Sequence, residues 1–253
     1  MKTVKKVLDI LEVFLDNREE HGISELVEIT GQNISTVHSI LQELARRGYI
    51  RQKQKRGKYS LGLKFLSFSN TLNKIMTIED IVHPFIVELS KEVNETVNLA
   101  VLDGNHATNI AIIHSIHKLR VVMDQSVGLP LYCTGVGKVF LAGMTDEDLD
   151  QYLKNEKLIA NTLKTITAGV KLKNQIRKIR RIGIAYDNEE HEIGIRNVAV
   201  PVRDGNGKIT LAVGVQGPSV RLSLKRAKQI APIIKKYATA ISELLGYHES
   251  DFS

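Results

Sequence analysis

The segment from Ile23 to Leu63 constrains the fold of this chain more than any other stretch. Apolar residues at helical spacing predict a first helix that ends at Gly31 and a second helix that ends at Gly48. Asn33 precedes the second helix, and its side chain is expected to cap the free backbone N–H groups there. Two short helices joined by this turn predict a helix-turn-helix.

A basic hairpin follows the second helix directly. Short strands are predicted at Tyr49–Ile50 and Tyr59–Leu61, on either side of Gly57, and no acidic residue occurs between Leu44 and Lys64. A helix beside a positively charged ribbon predicts a winged helix-turn-helix, whose surface suits a DNA groove and its flanking phosphates. A small helical subdomain with a solvated basic face is an open alternative for the helix pair, and the hairpin favours the winged form.

The outer face of the second helix carries short or planar hydrogen-bonding side chains, which are the types that reach base edges in a major groove. Gln42 is the best candidate for reading a base. The basic residues after it are expected to contact phosphates, and part of the wing is expected to enter the minor groove. The predicted DNA-facing residues are Ser35, Thr36, His38, Ser39, Gln42, Arg46, Arg47, Arg51, Lys53, Lys55, Arg56 and Lys58.

The charge of the chain is concentrated in its first part. The formal net charge is +7 and the pI about 9.3. Residues 1–70 hold 12 Lys and Arg against 8 Asp and Glu, whereas residues 71–253 hold 23 against 20. A basic N-terminal module attached to a nearly balanced remainder predicts polyanion binding by the first part alone. A helix-turn-helix that binds a protein instead of DNA is disfavoured, because a protein interface has little use for so many cations.

The sequence also indicates where the protein works. A single cysteine, Cys133, excludes an internal disulfide framework and fits a reducing compartment. The N-terminal stretch is amphipathic and carries acidic residues, so it is not expected to be a signal peptide. No apolar run approaches the roughly 20 residues that span a bilayer. These features predict a cytoplasmic protein without a membrane partner.

Three parts are predicted along the chain: residues 1–63 form the DNA-binding domain, residues 64–82 a helical linker, and residues 83–253 an effector-binding and oligomerisation domain of mixed α and β structure. The linker is expected to form an interface, because its apolar residues cannot all face water. In the third part, strands joined by hairpins alternate with helices, which predicts an antiparallel sheet flanked by helices and an α+β class. The predicted strands are 96–102, 109–116, 119–124, 195–202 and 209–216, and the predicted helices are 83–93, 134–142, 146–153, 171–181 and 222–245.

Short motifs in both halves of the chain carry a family resemblance. In the first half they are Ser35–Val37, Gly48–Tyr49 and Tyr59–Gly62, and in the second half Glu95–Leu99, Gly128–Pro130, Gly135–Lys138, Arg181–Glu190, Gly194, Ala199–Val202 and Gly217–Pro218. With these motifs in this order, the chain resembles the IclR family of transcription regulators. The resemblance implies a homodimer or homotetramer that binds a double-stranded DNA operator, more often as a repressor, through a winged helix-turn-helix. It also implies a GAF-like C-terminal domain that senses a small carboxylic acid or an aromatic or sugar-derived metabolite, with a carboxylic or sugar-derived acid favoured, and no cofactor is expected.

The resemblance further implies the positions of an effector pocket. A helix that opens at Gly135 would offer backbone N–H groups to an anion, and Asp187 would bind hydroxyl groups or hold a neighbouring residue. A tight turn and a solvated loop are the alternatives for these two places. Amides stand where relatives often have Cys and Ser, so a polyhydroxylated or amide-matching effector is also consistent. The implied pocket residues are Val121, Gly135, Val136, Asp187, Asn197, Gly214 and Gln216.

The sequence also leaves other chemistry open. Cys133 lies next to the implied pocket, so a small-molecule enzyme or a thiol-based redox sensor is an alternative, although a buried packing residue is favoured. His114 and His117 lie three residues apart in a predicted strand and would point to opposite faces, which disfavours a metal site. The acidic segment from Asp187 to Glu192 could hold a divalent cation, but a solvated loop is favoured. No metal site and no catalytic residue is therefore predicted.

Overall fold

The computed structural model describes residues 2–15, 20–52, 57–68, 78–124 and 127–248. The chain divides into two compact units, Met1–Thr77 and Ile78–Ser253. The first unit is mainly helical with a small hairpin, and the second contains a six-stranded antiparallel sheet with helices. The predicted α+β class is therefore confirmed.

The first unit is a winged helix-turn-helix. It contains α1 (Lys2–Val13), α2 (Ile23–Thr30), α3 (Ile34–Arg46), β1 (Ile50–Gln52) and β2 (Tyr59–Leu61). The two strands pair antiparallel with Arg51 opposite Ser60, and His21 forms an isolated bridge to Tyr59. Its core is formed by apolar residues from all three helices and both strands, namely Ile10, Phe14, Leu26, Val37, Leu41, Leu44, Ile50 and Tyr59.

The turn between α2 and α3 is partly as predicted. Gly31 ends α2 with a φ of 63°, a left-handed conformation that glycine adopts readily. Asn33 lies at the start of α3, but its side chain makes no capping hydrogen bond to any residue that the structure describes, so that predicted cap is wrong. The side-chain cap belongs to α2 instead, where the Gly22 N–H donates to the Glu25 carboxylate at 2.8 Å.

The segment predicted as a linker helix is described only at its two ends. Residues 64–68 are helical, and the rings of Phe65 and Phe68 lie 5.6 and 6.0 Å from that of Tyr49 in the first unit. Residues 69–77 lie outside the described residues. The next helix, α4 (Ile78–Val93), begins five residues before His83, so Pro84 lies inside it and not near its start.

The second unit surrounds one sheet. Its strands are β3 (Thr96–Asp103), β4 (His106–Ile113), β5 (Leu129–Pro130), β6 (Ala185–Asn188), β7 (Ile195–Arg203) and β8 (Ile209–Pro218), in the order β5-β4-β3-β8-β7-β6. Besides α4, the helices of this unit are α5 (Gly135–Gly143), α6 (Asp146–Asn155), α7 (Gly169–Ile182) and α8 (Leu224–Leu244).

One predicted strand is absent and two short ones were not predicted. Residues 119–124 form no strand, although the Val121 carbonyl accepts a hydrogen bond from the Thr96 hydroxyl at 3.0 Å. This segment is held by a hydrogen bond to a side chain and not by backbone pairing with a strand. The alternation of apolar and polar residues in the sequence cannot distinguish these two arrangements. β5 and β6 are too short to produce a clear alternating pattern. β4 ends at Ile113, so both His114 and His117 lie beyond it.

The two faces of the sheet differ in composition because side chains alternate along each strand. One face is rich in valine and packs with the apolar faces of α4 and α8 in a single core that includes Val97, Leu99, Val198, Val200, Val213 and Val215. The opposite face carries alanines that pack with α5, namely Ala100, Ala107, Ala185, Ala199 and Ala212. Beyond the alanines, the same face becomes polar.

Candidate DNA-binding surface and ligand cavity

The helix α3 separates a buried face from an exposed polar face. Val37, Leu41 and Leu44 are buried in the core of the first unit. Because α-helical residues three and four apart share a face, the polar residues between them point away from that core. Of the five predicted base-facing residues, Thr36 is half-buried, and Ser35, His38, Ser39 and Gln42 are exposed.

Two of the predicted phosphate contacts are paired with an acid that precedes the basic segment. Arg46 binds the Glu43 carboxylate through two nitrogens at 2.9 and 2.7 Å, and Arg47 binds it at 2.5 Å. These hydrogen bonds lower the pKa of Glu43 to about 2. Both arginines are exposed, so each can exchange this carboxylate for a phosphate, but Glu43 offsets part of their charge. A count of charge by segment does not register this pairing, although the spacings of three and four residues along one helix were a local signal for it.

The wing presents further cations. Arg51 and Lys58 are exposed, and the Arg51 Nε donates to the Ser60 hydroxyl across the hairpin at 3.1 Å. The predicted contacts Lys53, Lys55 and Arg56 lie outside the described residues. An exposed polar helix beside a basic two-stranded ribbon defines the first unit as a DNA-binding module of the winged helix-turn-helix class.

The second unit contains a cavity of about 230 Å³ against the polar part of the sheet. Five polar side chains line it, one from each of five neighbouring strands: Asn109 on β4, Asn98 on β3, Gln216 on β8, Asn197 on β7 and Asp187 on β6. All five are buried, and we call them the polar row. The Asn98 Nδ2 donates to the Asn109 Oδ1 at 2.6 Å, and the Gln216 amide contacts the Met123 sulfur.

The cavity brings together five of the seven implied pocket residues: Val121, Val136, Asp187, Asn197 and Gln216. The other two, Gly135 and Gly214, do not line it but lie directly behind the amides. A Cβ at Gly135 would lie 2.0 Å from the Asn197 Oδ1, and a Cβ at Gly214 would lie 2.3 Å from the Asn98 Oδ1. Their lack of a side chain leaves room for the amides.

Several lining residues were missed in the sequence. The structure adds Asn98 and Asn109, as well as Thr134 and His191, to the cavity wall. A signal for the first two was present, since an asparagine within a strand of otherwise buried apolar residues has to find a polar partner. The order of the strands in the sheet was also needed to place these two asparagines beside Asn197.

A buried ion pair lies next to the cavity. Lys138, on α5, is completely buried, and its Nζ donates to the Glu190 carboxylate at 2.5 Å and to the Tyr186 carbonyl at 3.1 Å. The Asp187 carboxylate accepts the Glu190 N–H at 2.7 Å. Burial outweighs these favourable contacts and raises the pKa of Asp187 from 3.8 to about 7.

This pKa predicts a pH dependence of stability. In the folded chain Asp187 holds its proton up to about pH 7, whereas in the unfolded chain it loses the proton near pH 4, so stability falls as the pH rises between these values. Asp187→Asn is expected to remove that fall, which amounts to roughly 1.4 kcal/mol for each unit by which the pKa is raised. Urea unfolding from about pH 5 to about pH 8 measures it. Asp103→Asn, at an exposed position, is the control, and equal slopes for both variants would contradict the prediction.

The cysteine is poorly suited to thiol chemistry. Cys133 is completely buried, and that burial raises the pKa of its thiol to about 12. The thiol is therefore protonated near neutral pH, whereas nucleophilic and redox-sensing cysteines react as thiolates. This counts against the alternative of an enzyme or redox sensor that uses Cys133.

The acidic segment after β6 is occupied by protein cations. Glu189 binds Lys164 at 2.8 Å and Arg196 at 2.7 Å, while Glu190 binds Lys138. Within the described part of the chain, no group of three or more His, Cys, Asp or Glu residues is placed to hold a metal ion. None of the described helices has the length and apolar character that crossing a membrane requires.

Comparison with known proteins identifies the same two parts. A model of the IclR helix-turn-helix domain matches residues 3–54, and a model of the C-terminal domain of the bacterial transcriptional regulator IclR matches residues 71–243. The transcriptional regulator KdgR of Escherichia coli K12 is 32% identical over 252 residues, covering 100% of this chain and 95% of the relative. The transcriptional repressor IclR of the same organism is 27% identical over 248 residues, covering 97% and 90%.

Solved structures agree with these matches. The crystal structure of Thermotoga maritima IclR has a TM-score of 0.65 at 31% identity, and covers 98% of this chain and 100% of that one. The C-terminal domain of E. coli KdgR has a TM-score of 0.61 at 30% identity and covers 68% of this chain and 100% of that one. This chain belongs to the IclR family and is a DNA-binding transcriptional regulator.

Proposed function

We propose that this regulator is a repressor that recognises one operator sequence, and that a small hydrophilic metabolite bound in the cavity changes its affinity for that operator. The observation that carries the proposal is the row of buried amides around a cavity, in a chain whose other unit exposes a DNA-binding helix. The name of the repressor IclR, a relative that covers most of this chain, supports the sign of regulation. Because the protein acts on DNA, we place it in the cytoplasm.

The proposed roles divide the DNA-facing residues into two groups. The exposed polar residues of α3, Gln42 foremost, contact base edges. The basic residues Arg46, Arg47, Arg51 and Lys58 contact phosphates, and Lys53, Lys55 and Arg56 are proposed to extend the same basic surface along the wing. In a homodimer or homotetramer, two copies of α3 would enter successive major grooves about 34 Å apart on a near-palindromic operator.

Communication between the two units is proposed to pass through residues 64–82. An effector can change operator affinity only by the difference between its affinities for the DNA-bound and the released arrangement. The Phe65 and Phe68 rings pack on Tyr49 at one end of this segment, and Ile78 begins α4 at the other. A change in the position of this segment would therefore be transmitted to the DNA-binding unit through the contacts with Tyr49.

Two substitutions distinguish base reading from phosphate binding. Gln42→Ala is expected to reduce the binding free energy by about 1–3 kcal/mol for operators with particular base pairs, because a side chain that reads a base edge is lost. Lys58→Ala is expected to weaken binding to all sequences alike and to reduce the slope of log K against log salt by about 1. Fluorescence anisotropy measures both on a labelled duplex from upstream of its own gene, at several salt concentrations and with unrelated competitor DNA.

The matched control for the charge change is Lys225→Ala, an exposed position on α8 in the second unit. Its salt slope is expected to equal that of the unaltered protein. An unchanged sequence preference in Gln42→Ala would remove this residue from base recognition. Failure of the unaltered protein to bind any duplex at low salt would overturn the proposed operator binding.

A further inference from the structure

We infer that the cavity selects a small uncharged molecule with several hydroxyl groups and discriminates against the corresponding carboxylic acid. The inference rests on the proposed function, because it takes this cavity to be the effector site. It departs from the sugar-derived or carboxylic acid that the family resemblance implies. Four properties of the cavity carry it: unpaired amide atoms, lining charge, an apolar wall and size.

The polar row presents buried atoms that lack a partner. The Asn98 Oδ1, the Asn109 Nδ2 and the Asn197 Oδ1 have no hydrogen-bond partner among the described residues. Turning both amides of the bonded pair Asn98–Asn109 would still leave one acceptor and one donor free. A buried polar atom without a partner costs about 1–3 kcal/mol, and these atoms have almost no accessible surface, so a ligand pairs with them only where an amide turns toward the cavity.

Hydroxyl groups match this set better than a carboxylate does. A hydroxyl both donates and accepts, so several hydroxyls on one molecule satisfy the amide oxygens and the amide N–H together. An ionised carboxylate only accepts, so it can pair with the amide N–H groups but leaves the amide oxygens of the row without a donor. The Asp187 carboxylate, at the end of the row, likewise accepts a hydroxyl proton.

The charge of the lining opposes an anion. Asp187 and Glu192 line the cavity, and none of its described lining residues is Lys or Arg. Burial lowers the pKa of His191, which favours the neutral ring. The buried Lys138 nearby is held by Glu190 and the Tyr186 carbonyl. An anionic ligand would therefore gain no ion pair and would lie beside carboxylates.

The start of α5 does not supply the missing positive charge in full. A helix N-terminus carries roughly half a unit of positive charge, which is less than the full negative charge that Asp187 carries above about pH 7. In addition, the Thr134 hydroxyl already accepts the Gly137 N–H at 3.1 Å, so one of the free N–H groups is taken. What remains suits a hydroxyl or carbonyl oxygen.

The rest of the cavity suits a short carbon skeleton. Val121, Val122, Val127 and Ile195 contribute apolar surface that can pack on C–H groups. The cavity volume is about 230 Å³. A polyol or aldose of roughly four to six carbons fits this space, whereas larger ligands belong to cavities of about 300 Å³ and above.

The test is a matched panel of ligands added to the full chain at about pH 8, where Asp187 is ionised. Erythritol, xylitol, sorbitol and the aldoses of four to six carbons are each compared with the aldonate of the same carbon number, by thermal shift and then by calorimetry. At least one neutral member is expected to bind at least tenfold more tightly than its aldonate. Tighter binding of the aldonates, or no binding by any neutral member, would overturn the inference.

Variants link the binding to the polar row. Asn98→Leu is expected to lower the affinity for the neutral ligand at least tenfold. Asp187→Asn is expected to reduce the ratio between the affinity for the neutral ligand and the affinity for its aldonate. The control is Thr210→Val, because the Thr210 Oγ1 is also buried without a partner in the described chain but lies outside the cavity. Equal losses in Asn98→Leu and Thr210→Val would contradict the assignment.

The operator assay separates this inference from the proposed function. The same ligands are added to the anisotropy titration of the labelled duplex. If a neutral ligand binds but leaves operator affinity unchanged, the ligand class stands and the effector role fails. If only an aldonate binds and it changes operator affinity, the effector role stands and the inferred ligand class fails.

Discussion

Replacing Lys138 with methionine is expected to lower the free energy of unfolding of the C-terminal unit by about 3–5 kcal/mol. The substitution leaves the Glu190 carboxylate buried without its cation, and one oxygen of that carboxylate already lacks a partner among the described residues. Urea denaturation followed by circular dichroism measures the change. Because Glu190 hydrogen-bonds to Asp187 through its backbone, we also expect weaker ligand binding.

The size of this effect depends on burial, and a second ion pair provides the control. Lys173 binds Asp150 at 2.6 Å, but their side chains are 22% and 49% exposed. Lys173→Met is therefore expected to cost only about 0–1 kcal/mol. Removing the buried pair altogether, as Lys138→Met with Glu190→Leu, is expected to recover most of the loss. Similar losses for the Lys138 and Lys173 variants would contradict the burial argument.

Leu41→Ala is expected to lower the free energy of unfolding of the first unit by about 2–5 kcal/mol and to abolish operator binding. Leu41 is completely buried on the inner face of α3, where it fixes the helix that carries the DNA-facing residues. A unit of this size has a small free energy of unfolding, so a loss of this magnitude is expected to unfold it. The urea transition of the first unit is expected to shift to lower concentration, while that of the second unit stays in place.

The control on the same helix is Ile34→Ala, since Ile34 is 61% exposed. We expect it to change stability by less than about 0.5 kcal/mol and to retain DNA binding. Hydrogen exchange resolved along the chain assigns each transition to its unit. A single transition that Leu41→Ala shifts for the whole chain would show that the two units do not unfold independently.

The helix-turn-helix was predictable because its signals are local. Gly31 ends one helix, an apolar stripe of Val37, Leu41 and Leu44 marks the next, and the wing follows within a few residues. The pairing of Glu43 with Arg46 and Arg47 was equally local, at spacings of three and four. It was missed because charge was counted by segment and not along the helix surface.

The cavity was only partly predictable because it depends on contacts between distant strands. Residues Asp187, Asn197 and Gln216 were implied by resemblance, whereas Asn98 and Asn109 were not. Their place in the polar row follows from β3 pairing with both β4 and β8, and the β3–β8 pair joins residues more than 100 positions apart. Alternation gives the face of each residue but not the strand beside it.

The two faces of the sheet have a consequence for how specificity can change. Positions 98, 109, 197 and 216 point to the cavity, while at least one immediate neighbour of each packs in the valine core, namely Val97, Leu99, Ile110, Val198 and Val215. Exchanging the polar residues alters the ligand without repacking that core, so new effector preferences are accessible at low cost in stability. A slip of one residue in strand pairing would exchange the two sets and bury the amides among valines. The strand pairing that buries the valines therefore also aligns the polar residues of the cavity, so a correctly folded second unit already contains an assembled binding site.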